Sequence, residues 1–168
     1  MSHHIYQTDG FILKSREAKD ANRFYQIFTR DLGLIGASAQ GVRLLKSKLR
    51  YSLHSFAYSH LSLVRGREVW RITSAGRIEN IYKDLGPETP QPERFLLVER
   101  IFSLLDRLLT GEEKNEPLFE AVLGLINFLK IDEAKVDKVD SALFSADELR
   151  SIETISVMRI LYFLGYFS

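Results

Sequence analysis

Asn22-Arg-Phe-Tyr-Gln-Ile-Phe-Thr-Arg-Asp-Leu-Gly-Leu-Ile35 decides how the first half of this chain folds. Phe24, Gln26 and Phe28 alternate with Tyr25 and Ile27. Such a period of two, bounded by Asn22 and by the turn residues Asp31-Leu32-Gly33, is a strand signal. Upstream, residues 4–14 mix Ile5, Tyr6, Phe11, Ile12 and Leu13 around an expected kink at Asp9-Gly10. Downstream, Leu34–Val42, the aromatic and apolar run Leu53–Val64, and Val69–Ile78 after Arg65-Gly66-Arg67 read as three more strands. Five short strands joined by turns suit a small closed or partly open barrel, because closure removes exposed sheet edges. Gly33, Gly36 and Gly41 suit the sharp bends such a barrel needs.

The second half follows helical spacing. Pro87, Pro90 and Pro92 mark a boundary, since each disfavours helix in the residue before it. Phe95, Leu96, Val98, Ile101, Phe102, Leu105, Leu108 and Leu109 then recur three and four apart, which predicts an amphipathic helix ending at Thr110-Gly111. Leu118, Val122, Leu125, Ile126 and Leu129 predict a second helix starting near Pro117. Residues 132–140 read as a charged connection. Ser145 and Glu148 form a capping-box pattern opening a last helix through Ile152, Ile155, Met158, Ile160, Leu161 and Leu164. These stripes are expected to pack helix on helix. The fold class is therefore α+β, with a five-stranded barrel over residues 1–80 and a small all-helical domain over 81–168.

Charge separates along the chain. Residues 1–84 carry 14 Lys and Arg against 7 Asp and Glu, whereas residues 85–168 carry 9 against 15. No acidic residue occurs between Asp31 and Glu68, where Arg43, Lys46, Lys48, Arg50, Arg65 and Arg67 fall. A one-signed surface concentrates a partner of opposite sign, and nucleic acid is the common one for clustered Lys and Arg. The chain has no cysteine, which excludes disulfides, a thiol nucleophile and Cys-based zinc binding within these 168 residues. No segment reaches the ~18 apolar residues of a membrane span, and no signal-peptide pattern opens the sequence, so a cytoplasmic location is expected.

Catalytic patterns are missing from the sequence. There is no Walker A run, no Gly-x-Gly-x-x-Gly fingerprint and no HExxH. His3 and His4 fall at the terminus. His54 and His60 lie six apart in one expected strand, about 20 Å along it at ~3.3 Å per residue, too far to share a metal. Glu112-Glu113 and Asp132-Glu133 flank expected helices and read as caps or solvated charge. Neither an enzyme nor a cofactor or metal site is expected.

The run Gly41-Val-Arg-Leu-Leu-Lys-Ser-Lys-Leu-Arg50 joins two expected strands and carries Arg43, Lys46, Lys48 and Arg50 with one hydroxyl, Ser47. Cations neutralise phosphates and release counterions, while a hydroxyl adds a hydrogen bond to a phosphate oxygen. Tyr51, Phe56, Tyr58 and Trp70 are rings that a sheet could offer beside it, and pairing a basic groove with stacking rings is how barrels hold single strands. Phe56 reads as core, while the amphipathic Tyr51, Tyr58 and Trp70 suit either place.

Three segments resemble the RecO family of bacterial recombination mediators. They are Thr8-Asp-Gly-Phe-Ile-Leu-Lys-Ser15, Phe28-Thr-Arg-Asp-Leu-Gly-Leu-Ile35, and Gly41-Val-Arg43 with Lys46-Ser-Lys-Leu-Arg50 followed by Leu53 and Phe56. Leu161 to Tyr166 looks like the family's helix before its cysteine-bearing segment. The resemblance implies an N-terminal OB-fold barrel and a helical domain. It also implies binding of single- and double-stranded DNA, strand annealing, and partnership with RecR and the acidic tail of single-stranded DNA-binding protein in loading RecA. Carried onto matching positions, the DNA contacts are Arg43, Lys46, Lys48 and Arg50. Ser47, Arg65, Arg67, Arg71, Tyr58 and Trp70 join them on charge, hydrogen-bonding and stacking grounds. Two departures stand out. Gln40 occupies a position where the family often has Lys, and no cysteines are present for the family's four-cysteine zinc module, so the chain reads as a natural short form, a divergent paralogue or a chain truncated within its helical domain. The rival expectations are a protein-interaction adaptor that has lost DNA binding and an RNA-binding OB protein.

Overall fold

The computed structural model describes residues 4–18, 20–130 and 143–167. The charged connection expected over 132–140 lies outside them. By compactness the chain divides into two units, Met1–Asn80 with Leu105–Lys114, and Ile81–Leu104 with Asn115–Ser168.

The first unit holds five strands: β1 (Ile5–Glu17), β2 (Arg23–Thr29), β3 (Gly33–Ala39), β4 (Ala57–Arg65) and β5 (Trp70–Asn80). They close in the order β1-β2-β3-β5-β4, an OB-like barrel. All neighbours are antiparallel except β3 and β5, which pair in parallel at Ala37–Trp70 and Ser38–Arg71. β1 makes closure possible because it serves two partners. Its residues Ile5–Phe11 pair with β4, and Gly10–Glu17 pair with β2. The kink expected at Asp9-Gly10 is instead a continuous strand. Gly10 pairs on both sides there, and a Cβ on it would come within 2.8 Å of Ile27 Cγ2. A register shift at Leu13 then lets Phe11, Ile12 and Leu13 all be buried, which strict alternation would forbid.

Two strands are shorter than the periodicity predicts. β3 stops at Ala39, and Gly41 takes φ +61°. The apolar run from Leu53 pairs only from Ala57, because Phe56 adopts φ +64° and donates its N–H to Ile12 O. His54 therefore precedes β4 rather than sharing a strand with His60. The interior is filled by Ile12, Tyr25, Ile27, Ile35, Leu61, Leu63, Trp70 and their neighbours.

Residues 105–114 belong to the barrel unit although their apolar spacing continues the helical stripe. Gly33 explains the close approach. It has φ +69°, and a Cβ there would lie 2.4 Å from Glu113 O, while the next amide, Leu34, donates to Gly111 O at 3.0 Å. Asp106 and Glu112 of this segment pair with the barrel's Lys14 and Arg65 and neutralise part of its positive charge, while Lys114 pairs in the opposite sense with Asp31.

The second half contributes α1 (Ile81–Leu85), α2 (Glu93–Leu108), α3 (Glu116–Leu129) and α4 (Ala146–Phe163). Asn115 Oδ1 caps α3 by accepting from the Leu118 amide, and Pro117 sits in the first turn, where its missing N–H costs nothing. Ser145 and Glu148 form the expected capping box. Arg94 is fully buried. It donates to Leu129 O at 2.6 Å and to Gln91 O at 3.1 Å, placing a cation at the carbonyl end of α3. The α4 stripe is buried less than its spacing suggests. Ile160 and Leu149 are inside, but Ile155 and Met158 remain exposed.

Candidate nucleic-acid interface

Barrel geometry lifts the basic run into solvent. After β3 the chain turns at Gly41, whose N–H donates to Asn22 Oδ1 at 2.9 Å, and Arg43 N–H donates to Ala21 O at 3.1 Å. These two bonds tie the loop to the start of β2. Leu44 to Gly41 and Ser47 to Leu44 backbone bonds then coil it into a single 3-10 turn at Lys48–Tyr51. No residue of that turn is buried. Leu45, just before it, is 87% exposed. Lys46 and Lys48 are exposed and make no ion pair with a described residue. The barrel unit as a whole has 15 Lys and Arg against 9 Asp and Glu, a net of +6.

The other expected cations have different placements. Arg43 and Arg50 line one cavity of about 320 Å³ together with Arg23, Tyr25, Val42, Leu53 and His54. Arg43 also lies 3.4 Å from Glu17 and donates to Asp20 O. Arg71 stands outward on β5 beside Ser38, two residues before the loop's Gln40. Arg67 is exposed in the β4–β5 turn. Arg65 is engaged, since its guanidinium pairs with Glu112 and lies 4.8 Å over the Trp70 ring.

Two rings are not where stacking needs them. Trp70 is 4% exposed and donates its indole N–H to Glu112 at 3.0 Å, with Tyr6 edge-on against it. It points inward because position 70 shares the inner face of β5 with Ile72. Tyr58 is 5% exposed and stacks on Phe11 at 4.7 Å. Both faces are covered, so the expectation that these rings receive bases is corrected. Tyr51 takes their place as the ring in the open, 69% exposed in the 3-10 turn, and Arg77 reaches its carbonyl from β5. Phe56 is half-buried. Ser47 does not cap the turn, so no cap bond claims its hydroxyl.

Four residues beside the loop escaped the sequence reading. Arg23, Tyr25, His54 and Arg77 stand far apart in sequence, and none lies in a basic run. Tyr25 is wholly buried, and burial pushes its hydroxyl up to about 12 against a small opposing pull from Arg23. Among the described residues no cluster of three His, Asp or Glu side chains forms a metal site.

Residues 1–81, the barrel and one residue beyond it, match the family model described as recombination protein O, N terminal. Similarity continues into the helices. The chain is 30% identical over 153 residues to the DNA repair protein RecO of Chlorobium limicola, covering 90% of this chain and 56% of that one. Through its first 81 residues, a RecO N-terminal domain, the chain belongs to the RecO family. Dehalococcoides mccartyi has a DNA repair protein RecO that is 36% identical over 126 residues, 75% of this chain and 48% of its own. That of Alkaliphilus metalliredigens is 24% identical over 135 residues, 80% and 53% respectively. The chain spans about half the length of the curated RecO relatives it matches. The RecO match covers the whole basic loop. No helix among the described residues is long and apolar enough to cross a membrane.

Proposed function

We propose that this RecO-family chain is a non-enzymatic, cytoplasmic DNA-binding protein of recombinational repair. Single- and double-stranded DNA would lie along the loop Gly41–Arg50, with Lys46, Lys48, Arg43 and Arg50 on phosphates, Ser47 adding a hydrogen bond and Arg67 and Arg71 extending the track. Tyr51 offers a face for one base. The observation that carries this reading is the pair Lys46 and Lys48. They are exposed, unpaired among the described residues, and set on a unit of net +6. Neutralising two strands at once removes the repulsion that opposes their pairing, which is the physical route from binding to annealing and recombinase loading.

A RecR-like mediator and the acidic tail of single-stranded DNA-binding protein are the proposed partners. The helical unit offers such a tail a groove of about 470 Å³ lined by Ile101, Leu125, Phe128, Ile155 and Ile160, with Arg159 and Glu120 as its charged residues. The same groove favours the rival reading of a protein adaptor. Fluorescence anisotropy of a labelled oligonucleotide decides between them. Salt-sensitive binding that is abolished by Lys46→Glu, Lys48→Glu and Arg50→Glu together, at unchanged melting temperature, supports the DNA reading. Absence of binding at low salt leaves the adaptor. Competition by matched RNA tests the choice of sugar.

A further inference from the structure

The cavity beside the loop is built differently from the rest of the basic surface. Arg23 and Tyr25 point to one side of β2, two residues apart, and their partners on β3 are Ala39 and Ala37. Small residues opposite long ones leave space above β3. Val42 and Leu53 border that space, and Arg43, Arg50 and His54 complete its lining. At about 320 Å³ the cavity far exceeds the ~30 Å³ that one water occupies.

Three side-chain polar atoms buried here have no hydrogen-bond partner among the described residues: Arg23 Nε, Tyr25 Oη and His54 Nε2. All three belong to residues lining this one cavity. Buried polar groups are nearly always satisfied, since leaving one bare costs about 1–3 kcal/mol. The chemistry of the three is consistent. Arg23 Nε carries a hydrogen and can only donate. Tyr25 keeps its proton, because burial lifts it to about 12. His54 Nδ1 lies 3.0 Å from Ser55 O, and a carbonyl only accepts, so Nδ1 carries the hydrogen. Nε2 becomes a second donor when the ring is protonated. Arg43 and Arg50 add two positive charges. Among the described residues Glu17 is the carboxylate that pairs with this group, 3.6 Å from Arg23 and 3.4 Å from Arg43, and it is largely exposed.

We propose that this cavity is a discrete site for a single tetrahedral oxyanion, a phosphate group held by Arg23, Tyr25 and His54 with Arg43 and Arg50 as its cationic rim. It goes beyond a diffuse basic surface, in which only net charge matters and no hydroxyl or imidazole is required. The DNA reading supplies the source of the phosphate, a strand's own backbone or end. The pocket chemistry stands without it, and a free phosphate would satisfy the same donors. The charged and titratable residues that line the cavity with His54 are Arg23, Arg43, Arg50 and Tyr25, and Glu17 pairs with Arg23 and Arg43.

The test is sulfate, which does not titrate between pH 6 and 8, added to the full 168-residue chain. The readouts are the imidazole nitrogen resonances of His54 and the melting temperature. The expected result is a saturable shift of the His54 Nε2 resonance as sulfate is added. Tyr25→Phe and His54→Gln should each weaken sulfate about tenfold, the scale of a hydrogen bond to a charged group. Without sulfate, Tyr25→Phe should melt no lower than the parent, because it removes a hydroxyl that has no partner among the described residues. With sulfate the parent should gain more stability than the variant. Unmoved His54 resonances, or variants that bind sulfate as tightly as the parent, would overturn the site and leave the cavity to water. A second arm uses oligonucleotides with and without a 5′-phosphate. Strand binding that displaces sulfate at His54 supports a strand phosphate as the occupant, and a requirement for the 5′-phosphate assigns it to the strand end. Strand binding that leaves His54 untouched overturns the strand source, while the DNA reading through Lys46 and Lys48 survives.

Discussion

Replacing Lys46 and Lys48 together with Gln separates a phosphate track from a merely basic protein. Both side chains are exposed, without an ion pair among the described residues, and lie outside the buried core, so the fold should not notice the change. Each phosphate neutralised on a single strand contributes about 0.7 to the slope of log affinity against log salt. Loss of two contacts should therefore lower that slope by about 1.4. Relative to 1 M salt, one such contact is worth about fourfold in affinity at 0.15 M and about eightfold at 0.05 M, so the pair should cost about 15-fold and about 65-fold respectively. Arg65→Gln is the internal contrast. Its guanidinium is already held by Glu112 and Trp70, and it should shift the slope by less than half as much as one lysine. The assay is anisotropy of a labelled oligonucleotide at five salt concentrations, with melting curves as a control. A folded double variant with the parental slope would refute the placement of phosphates along this loop. So would an Arg65 variant that matches the lysines.

Other outcomes follow from the packing. Gly33→Ala should cost at least about 2 kcal/mol in urea unfolding, since position 33 has φ +69° and a new Cβ would meet Glu113 O at 2.4 Å. Arg94→Met should destabilise by about 2–3 kcal/mol, because the carbonyls of Leu129 and Gln91 lose a buried charged donor. Hydrogen bonds from Arg100, with a smaller charge effect, hold the Glu153 carboxyl below its ordinary range. A carboxyl depressed on folding adds stability above its unfolded pKa and loses it as pH falls through the folded one. Melting temperature should therefore drop on acidification below the usual carboxylate range, and Glu153→Gln should flatten part of that drop. The pair is partly exposed, so the contribution is at most about 1 kcal/mol.

Much of the fold was legible because its signals are local. The alternation over 22–29, the turn at Asp31-Leu32-Gly33 and the Ser145/Glu148 cap each depend on residues a few positions apart, and each appears where the spacing puts it. The basic loop was legible for the same reason, as a charge run without acids between strands. Strand ends were less so. Phe56 at φ +64° is set by its bond to Ile12 O, forty-four residues away, and nothing near position 56 announces it. Inward or outward facing of single rings also failed to show. Trp70 and Tyr58 are amphipathic, and only the closed barrel with its buried inner faces decides that both are covered.

Charge pattern and hydrophobic period, both properties of neighbours along the chain, determined by themselves a basic barrel followed by amphipathic helices. Tertiary structure alone decided what meets across the barrel wall. It set Glu112 on Arg65 and Trp70, taking one expected cation and one expected ring out of play. It also gathered Arg23, Tyr25 and His54 from separate segments around one cavity, each with a buried polar atom that has no partner among the described residues. Barrel closure brings distant residues together through register and a parallel β3–β5 pairing, and register is a global solution that no short stretch of sequence encodes.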